Sequence, residues 1–240
     1  MIIKEHYENH LAEYYTWIYG GFENKIKENR EFFKSNEIKP VLAETALDLG
    51  AGNGFQSIPL AELGYEVTAV DISRKLLNEL KYNKNDLDIN IIENDILNFK
   101  IYSNLMPNLI VCMGDTLPHL NSIDEVNNLL INSYSILKKE GKIILTFRDL
   151  TFELTDEKRF IPLRSSENKI FTCFLEYEKD KVKVFDIIHE KKEGKWHQKI
   201  SYYRKLKISI SCISDSMKSA GFKIEKVDVA NGRITVIGIK

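Results

Sequence analysis

Between positions 45 and 147 the chain alternates two hydrophobic patterns, and the alternation predicts the fold. Short runs that are apolar at nearly every position, Ala46-Leu47 with Leu49, Tyr65–Asp71, Ile89–Glu93, Leu109–Met113 and Lys142–Phe147, read as strands buried on both faces. The stretches between them carry apolar residues at three-and-four spacing and read as helices: Phe55–Leu63, Ser73–Tyr82 and Ile123–Leu137. Ser73 is a good N-cap, and Lys138, Lys139 and Gly141 are a good helix stop. Pro59 is tolerated only in a first helical turn, which sets the helix start near Phe55. Strands alternating with helices predict a mostly parallel sheet covered on both sides.

The pattern differs at both ends. Leu11, Tyr14, Tyr15, Trp17 and Ile18 form a helical stripe that Gly20-Gly21 interrupts, Phe22, Ile26 and Phe33 resume it, and Pro40 closes it. Val41 leads into the first strand. Residues 169–208 hold three β-like runs divided by the charged turns 178–181 and 191–195, an antiparallel insertion. Helix Ile213–Ala220 follows, then Phe222–Val229 and Arg233–Ile239 joined by Asn231-Gly232, a hairpin signal. The reading is one α/β domain: residues 1–40 a helical cover, 41–150 and 209–240 the core, 151–208 a β insertion or lid.

Composition narrows the possibilities. With 43% hydrophobic and 29% charged residues, the 240-residue chain can bury a full core. A net charge of −1 without a basic block gives general nucleic-acid binding no electrostatic footing. No apolar run approaches the ~20 residues that span a bilayer, and the first residues lack a secretory layout. Cys112, Cys173 and Cys212 fit neither a disulfide framework nor a zinc site, which points to a reducing cytoplasm. No metal is expected: His6 and His10 lie four apart without a third ligand and read as a solvent face, and His189 and His197 as exposed.

The chemistry concentrates in Leu47-Asp-Leu-Gly-Ala-Gly-Asn-Gly54 and in Asp71, which ends the next strand. Strand, glycine loop, helix, strand and acid make a nucleotide-binding βαβ unit, in which glycines admit a close ligand and the acid accepts from ribose hydroxyls. The glycines are spaced G-x-G-x-G. Asp48, two positions before the first, would repel a pyrophosphate but attract an amino group. A reversed last strand also disfavours a dinucleotide fold.

On these residues the chain resembles the class I S-adenosylmethionine-dependent methyltransferases over nearly its whole length. The resemblance implies a Rossmann-like seven-stranded sheet, mostly parallel with a reversed last strand, and S-adenosyl-L-methionine as cofactor. It implies that Asp48, Gly50, Ala51, Gly52 and Gly54 hold the methionine part, that Asp71 with Ile72 holds the ribose, and that Asn94, Asp95 and Ile96 hold the adenine. Met113 would end strand four beside the sulfonium.

Within that class the chain is similar to the glycine N-methyltransferase branch. Trp17-Ile-Tyr-Gly20 resembles its N-terminal cover, making Trp17 a cofactor contact, with helix packing as the alternative. Val111–Leu120 resembles its strand-four loop, with His119 near the cofactor. Phe147-Arg148-Asp149 resembles its strand-five exit, where Arg148 would bind a substrate carboxylate, and Ser201-Tyr202-Tyr203 resembles a tyrosine pair in its lid. Strand alternation sends Tyr202 and Tyr203 to opposite faces, one packing with Trp196 and Ile200, the other facing the cleft. Asp115 stands where that branch has asparagine; its charge attracts an amine and repels a carboxylate, which argues against glycine itself.

The expected reaction is methyl transfer to a small-molecule acceptor, an amine nitrogen foremost, with Asp115 or His119 available to take a proton. The rivals are an RNA or protein methyltransferase on the same core, a protein that binds the cofactor without catalysis, and a dehydrogenase. The sequence leaves the oligomeric state open, and a homo-oligomer built through the insertion is compatible with it.

Overall fold

The computed structural model describes residues 3–41 and 44–240. Positions 1 and 2, and positions 42 and 43 in the lead-in assigned to the first strand, lie outside the described residues. Eleven strands form among the described residues: β1 Thr45–Leu49, β2 Glu66–Asp71, β3 Ile89–Glu93, β4 Leu109–Cys112, β5 Lys142–Arg148, β6 Phe160–Ser165, β7 Lys169–Tyr177, β8 Lys181–Lys192, β9 Lys195–Leu206, β10 Lys223–Ala230 and β11 Arg233–Ile239.

Seven of them build one sheet in the order β3-β2-β1-β4-β5-β11-β10. The first five run parallel, and β11 runs against both β5 and β10. The Rossmann-like sheet with a reversed strand is therefore present, with the reversal at β11, slotted between two strands of the other direction. Asn231 and Gly232 both take positive φ, 52° and 71°, the twist that a two-residue hairpin requires. β10 is mostly exposed and carries Lys223, Glu225, Lys226 and Asp228, the charges that blunt an open edge.

Alternate strand residues feed two cores. Leu47, Leu49, Ile110, Leu145 and Phe147 pack under the helices Ile123–Ile136 and Ile210–Ser219. Ala46, Val67, Ala69, Val111 and Ile144 pack under the helices Phe22–Ser35 and Ser57–Glu62. Strand order reverses between β1 and β4, so the loops leaving their carboxyl ends part there and open a crevice, where open α/β sheets bind ligands.

The other four strands form an antiparallel sheet, β6-β7-β8-β9. Its first strand was not read from the sequence, because Pro162 and the register shift beside it mark an edge strand rather than a regular alternation. The inner face of this sheet meets residues 3–18 in a third core of Leu11, Tyr14, Phe171, Leu175, Val184 and Tyr203.

Residues 3–18 wind irregularly. An α turn Ile3–His6 passes into a π segment Tyr7–Leu11, a 3₁₀ turn Ala12–Tyr14 and a last α turn Tyr15–Ile18. The sequence reading of His6 and His10 as a solvent face is corrected here, since both are buried against the second sheet. His6 Nε2 donates to Asp186 Oδ2 at 2.9 Å, its Nδ1 lies 2.8 Å from Ser201 Oγ, and His10 Nε2 donates to the Asp186 carbonyl. Cys173 Sγ donates to the other Asp186 oxygen. A buried carboxylate latches the arm to the insertion. Replacing His6 by leucine removes its main donor, and His6→Leu is expected to lower the unfolding free energy in urea by about 3 kcal/mol; a change below about 0.5 kcal/mol would show that the latch is not structural.

Candidate active site

Gly50, Gly52 and Gly54 all take positive φ, at 84°, 54° and 95°. They do different work. A Cβ on Gly50 would collide with the Thr116 side chain and one on Gly54 with Leu80, whereas Gly52 meets nothing closer than 3.8 Å. Gly50 and Gly52 line the cleft, while Gly54 lets the loop seat on the helix Arg74–Asn83. Ala51 is buried in the core rather than in the cleft wall. The Gly50 and Ala51 N–H groups both donate to the Val70 carbonyl, at 2.8 and 3.0 Å, which fixes the loop to β2.

Asp71 ends β2 and faces the cleft. Its Oδ2 accepts from the Gly52 N–H and its Oδ1 from the Ser73 N–H, both at 2.8 Å. Burial raises its pKa, and the backbone donors oppose that rise. Ile72, Asp95, Ile96 and Leu97 continue the same wall. Asp95 accepts from the Leu97 N–H, and Asn94 turns its amide oxygen to the Asp95 and Asn98 donors, in the outer mouth of the cleft.

Asp48 and Met113 are placed differently from the sequence reading. Neither lines this cleft. Asp48 lies beneath the loop, 1% exposed, and accepts from Ser57 Oγ at 2.6 Å, while its other carboxyl oxygen has no partner among the described residues. Burial pushes its pKa up to about 7. Met113 belongs to the core and to a separate hollow beneath the helix Phe22–Ser35. Trp17 packs on the insertion side, with the Arg164 guanidinium 5.7 Å from its ring, and is not in the cleft wall.

The arm closes the cleft through residues that the sequence reading did not single out. Ile3, Tyr7 and Tyr15 face into it. Glu8 Oε1 accepts from Ser73 Oγ and from the Lys75 N–H, Asn53 Nδ2 donates to Thr16 Oγ1, and Thr16 Oγ1 donates to Glu79. A helical stripe marks a buried face but not what it covers, so no sequence signal identified these lid contacts.

A second chamber adjoins the first, sharing Tyr7, Tyr15 and Gly114 with it. Arg148, Asp115, Lys205 and Tyr203 stand in its wall. Asp115 takes a left-handed φ of 77° that turns its carboxylate back across β5. There Oδ1 accepts from the Arg148 N–H at 2.6 Å and Oδ2 from Lys205 Nζ at 3.0 Å, with Arg148 Nε at 3.5 Å. Burial alone would raise this acid, but Lys205 and Arg148 hold it well below the usual carboxylate range. Asp115 is thus a fixed anion and a weak base, and its charge is neutralised rather than free to repel a carboxylate. Lys205 was missed, although it shares the inward face with Ser201 and Tyr203 at period two.

His119 reaches the junction of the chambers, where its Nε2 lies 3.2 Å from the Tyr7 hydroxyl. Its Nδ1 is buried with no partner among the described residues. Burial and the Lys205 ammonium hold the imidazole well below its ordinary pKa, so it is neutral, and burial keeps Tyr7 protonated. Tyr203 faces inward, its ring 5.2 Å from that of His119. Tyr202 lies on the outer face against Phe185 and Lys183, and not chiefly on Trp196 or Ile200, which are exposed. The expected split of the pair is present, with a different outer partner.

The cleft suits an adenosine-bearing ligand. It offers a carboxylate that can accept from sugar hydroxyls, apolar walls at Ile72, Ile96 and Leu97 for a flat base, and at Gly52 a backbone free of side-chain bulk. No cluster of metal-ligating side chains forms among the described residues.

The buried acid under the loop gives a pH test. With a folded pKa of about 7 against an ordinary value of 3.8, the native state holds a proton that the unfolded state has lost between about pH 4 and 7. Stability therefore falls as pH rises through that window, by up to roughly 4 kcal/mol. Asp48→Asn cannot ionise, so its thermal midpoint relative to the parent is expected to climb from pH 4 to pH 7.5. Parallel curves would contradict a protonated Asp48.

Residues 46–141 match the family described as a methyltransferase domain. The chain is 28% identical over 151 residues to a glycine/sarcosine N-methyltransferase of Aphanothece halophytica, covering 61% of this chain and 57% of that one. It is 30% identical over 130 residues to a glycine/sarcosine/dimethylglycine N-methyltransferase of Actinopolyspora halophila, covering 52% of this chain and 23% of that one. The chain thus spans about half the length, or less, of these curated relatives. In fold it is similar to an S-adenosylmethionine-dependent methyltransferase from Clostridium acetobutylicum, with a TM-score of 0.76 at 18% identity over 96% of both chains. The glycine loop and the bridging acid both lie within the stretch that matches a methyltransferase domain, and the sheet with its reversed strand has the fold of the S-adenosylmethionine-dependent methyltransferase it resembles.

Proposed function

We propose that this protein moves the methyl group of S-adenosyl-L-methionine to the nitrogen of a small-molecule amine. The observation that carries the reading is the pair of chambers meeting at Tyr7, Tyr15 and Gly114, one walled by the glycine loop and Asp71, the other roofed by the arm and the insertion. Such a roof leaves little room for a polymer, and the net charge of −1 offers none of the attraction that RNA needs. The names of the two relatives support nitrogen as the acceptor atom.

The cofactor would lie with its ribose on Asp71, its base along Ile72 and Ile96 towards Asp95, and its amino acid end at Gly50 and Gly52. When bound it supplies an already activated methyl group. The protein's own task is alignment and the exclusion of water. Arg148, whose guanidinium donates no hydrogen bond among the described residues, is placed to take an anionic group of the acceptor. Neutral His119 and the Tyr7 hydroxyl offer hydrogen bonds where the amine arrives. Neither His119 nor Asp115 is a strong base, so the amine sheds its proton to solvent before the lid closes. The reading includes a cytosolic setting, supported by three free thiols.

Labelled cofactor with a panel of primary and secondary amines tests the proposal; label transferred only to RNA, to protein or to nothing would overturn it. Asp71→Asn loses the charged acceptor and is expected to weaken S-adenosylhomocysteine at least ~10-fold by calorimetry, with the unfolding midpoint as the control for folding. Because the amine must be neutral, kcat/KM is expected to rise tenfold per pH unit up to the acceptor's own pKa. His119→Asn should keep that shape. An inflection at a pH well below the ordinary imidazole range that disappears in the variant would make His119 a base after all.

A further inference from the structure

The acceptor chamber is far more apolar than a glycine-sized zwitterion requires. Beyond its junction with the donor cleft, its walls are Leu11 and Ile18 of the arm, Leu150 after β5, and Phe171, Leu175 and Val184 on the inner face of the second sheet. Arg148 in the wall can take one anionic group, but the carboxylates there are already engaged: Asp115 by Lys205 and Arg148, Asp186 by His6 and Cys173. An ammonium or carboxylate pushed past Arg148, among the apolar side chains, would lose its water without finding a partner. A hydrocarbon body there would gain from leaving water in proportion to its area.

We infer that the acceptor is an amine carried on an apolar body about the size of a leucine or phenylalanine side chain, with the nitrogen at Tyr7 and Gly114 and the body against Phe171 and Val184. This rests on the amine reading above and names the class of amine. It departs from the acceptors in the names of the two relatives, glycine, sarcosine and dimethylglycine, whose bodies offer the six apolar walls almost nothing to bury. The neutralised Asp115 does not itself reject glycine; the apolar wall does.

The experiment compares kcat/KM for glycine, sarcosine, leucine, phenylalanine and 2-phenylethylamine with the full chain and saturating cofactor. Leucine, phenylalanine or phenylethylamine is expected to exceed glycine by at least ~10-fold. A preference for glycine or sarcosine overturns the inference and leaves the amine reading standing. If no amine of either kind is methylated although S-adenosylhomocysteine binds, the amine reading falls and the inference with it. Leu163→Asn supplies a second readout, because Leu163 is a partly buried chamber wall on the edge strand β6. It should raise KM for the apolar acceptor ~10-fold while the Kd for S-adenosylhomocysteine stays within twofold. An unchanged KM would show that the body does not lie against this wall.

Discussion

One carboxylate organises the donor side of the molecule. Asp71 takes the N–H of Gly52 on one oxygen and the N–H of Ser73 on the other. It thereby fixes the glycine loop to the end of β2 and to the start of the helix Arg74–Asn83. Both donors are backbone groups that the loop and the helix terminus would otherwise leave without partners. Burial works against the charge, as the raised pKa records, and the two N–H groups oppose that cost. The carboxylate proposed to bind the ligand and the point of loop closure are therefore the same group. The loop can be shaped before any ligand arrives, and preorganisation of that kind spares ordering cost on binding.

The arm depends on the same place. Glu8 accepts from Ser73 Oγ and from the Lys75 N–H, so the cover grips the first turn of the helix that Asp71 anchors. On its other side His6 is latched to Asp186 of the second sheet. Residues 3–18 are thus held between two bodies, and Tyr7 and Tyr15 on that segment face both chambers. The irregular winding follows from this double duty. A regular α-helix repeats its face every 3.6 residues, and a π turn shifts the face so that Tyr7 reaches His119 while His6 and His10 stay on the insertion.

The core was legible in the sequence because its signals are local. Buried parallel strands read as continuous apolar runs, the Ser73 cap and Asn231-Gly232 turn work through their own backbones, and the glycine loop is a spacing. Asp71, Asp95 and Ile96 could be expected at the cleft because they end or closely follow strands whose positions were already known. The misreadings share a physical origin, which is partnership at long range. His6 and His10 looked solvent-facing because their partners lie 180 and 176 residues away in β8. Asp115 looked like a free charge because Lys205 is 90 residues away. Asp48 on β1 and Met113 just past β4 stand at the expected positions in the chain, but their side chains lie in the core rather than in the cleft wall. A one-residue step along a strand changes the face completely, and the sequence does not say on which side of a loop the ligand will lie.

The two chambers are built from different parts of the chain, and this separates what can vary from what cannot. The donor side draws on β1, β2, β3 and the strand-four loop, all tied to the sheet by backbone hydrogen bonds, so a side-chain change there disturbs loop closure as well as binding. The acceptor side draws most of its apolar wall from residues 3–18 and the second sheet, which meet through side-chain packing and one buried latch. Packing tolerates volume-conserving exchange of apolar residues far better than a backbone loop tolerates a Cβ at Gly50. On the proposed reading the fixed half specifies the methyl donor. The replaceable half, on the same reading, selects the amine, and in this chain that half is apolar.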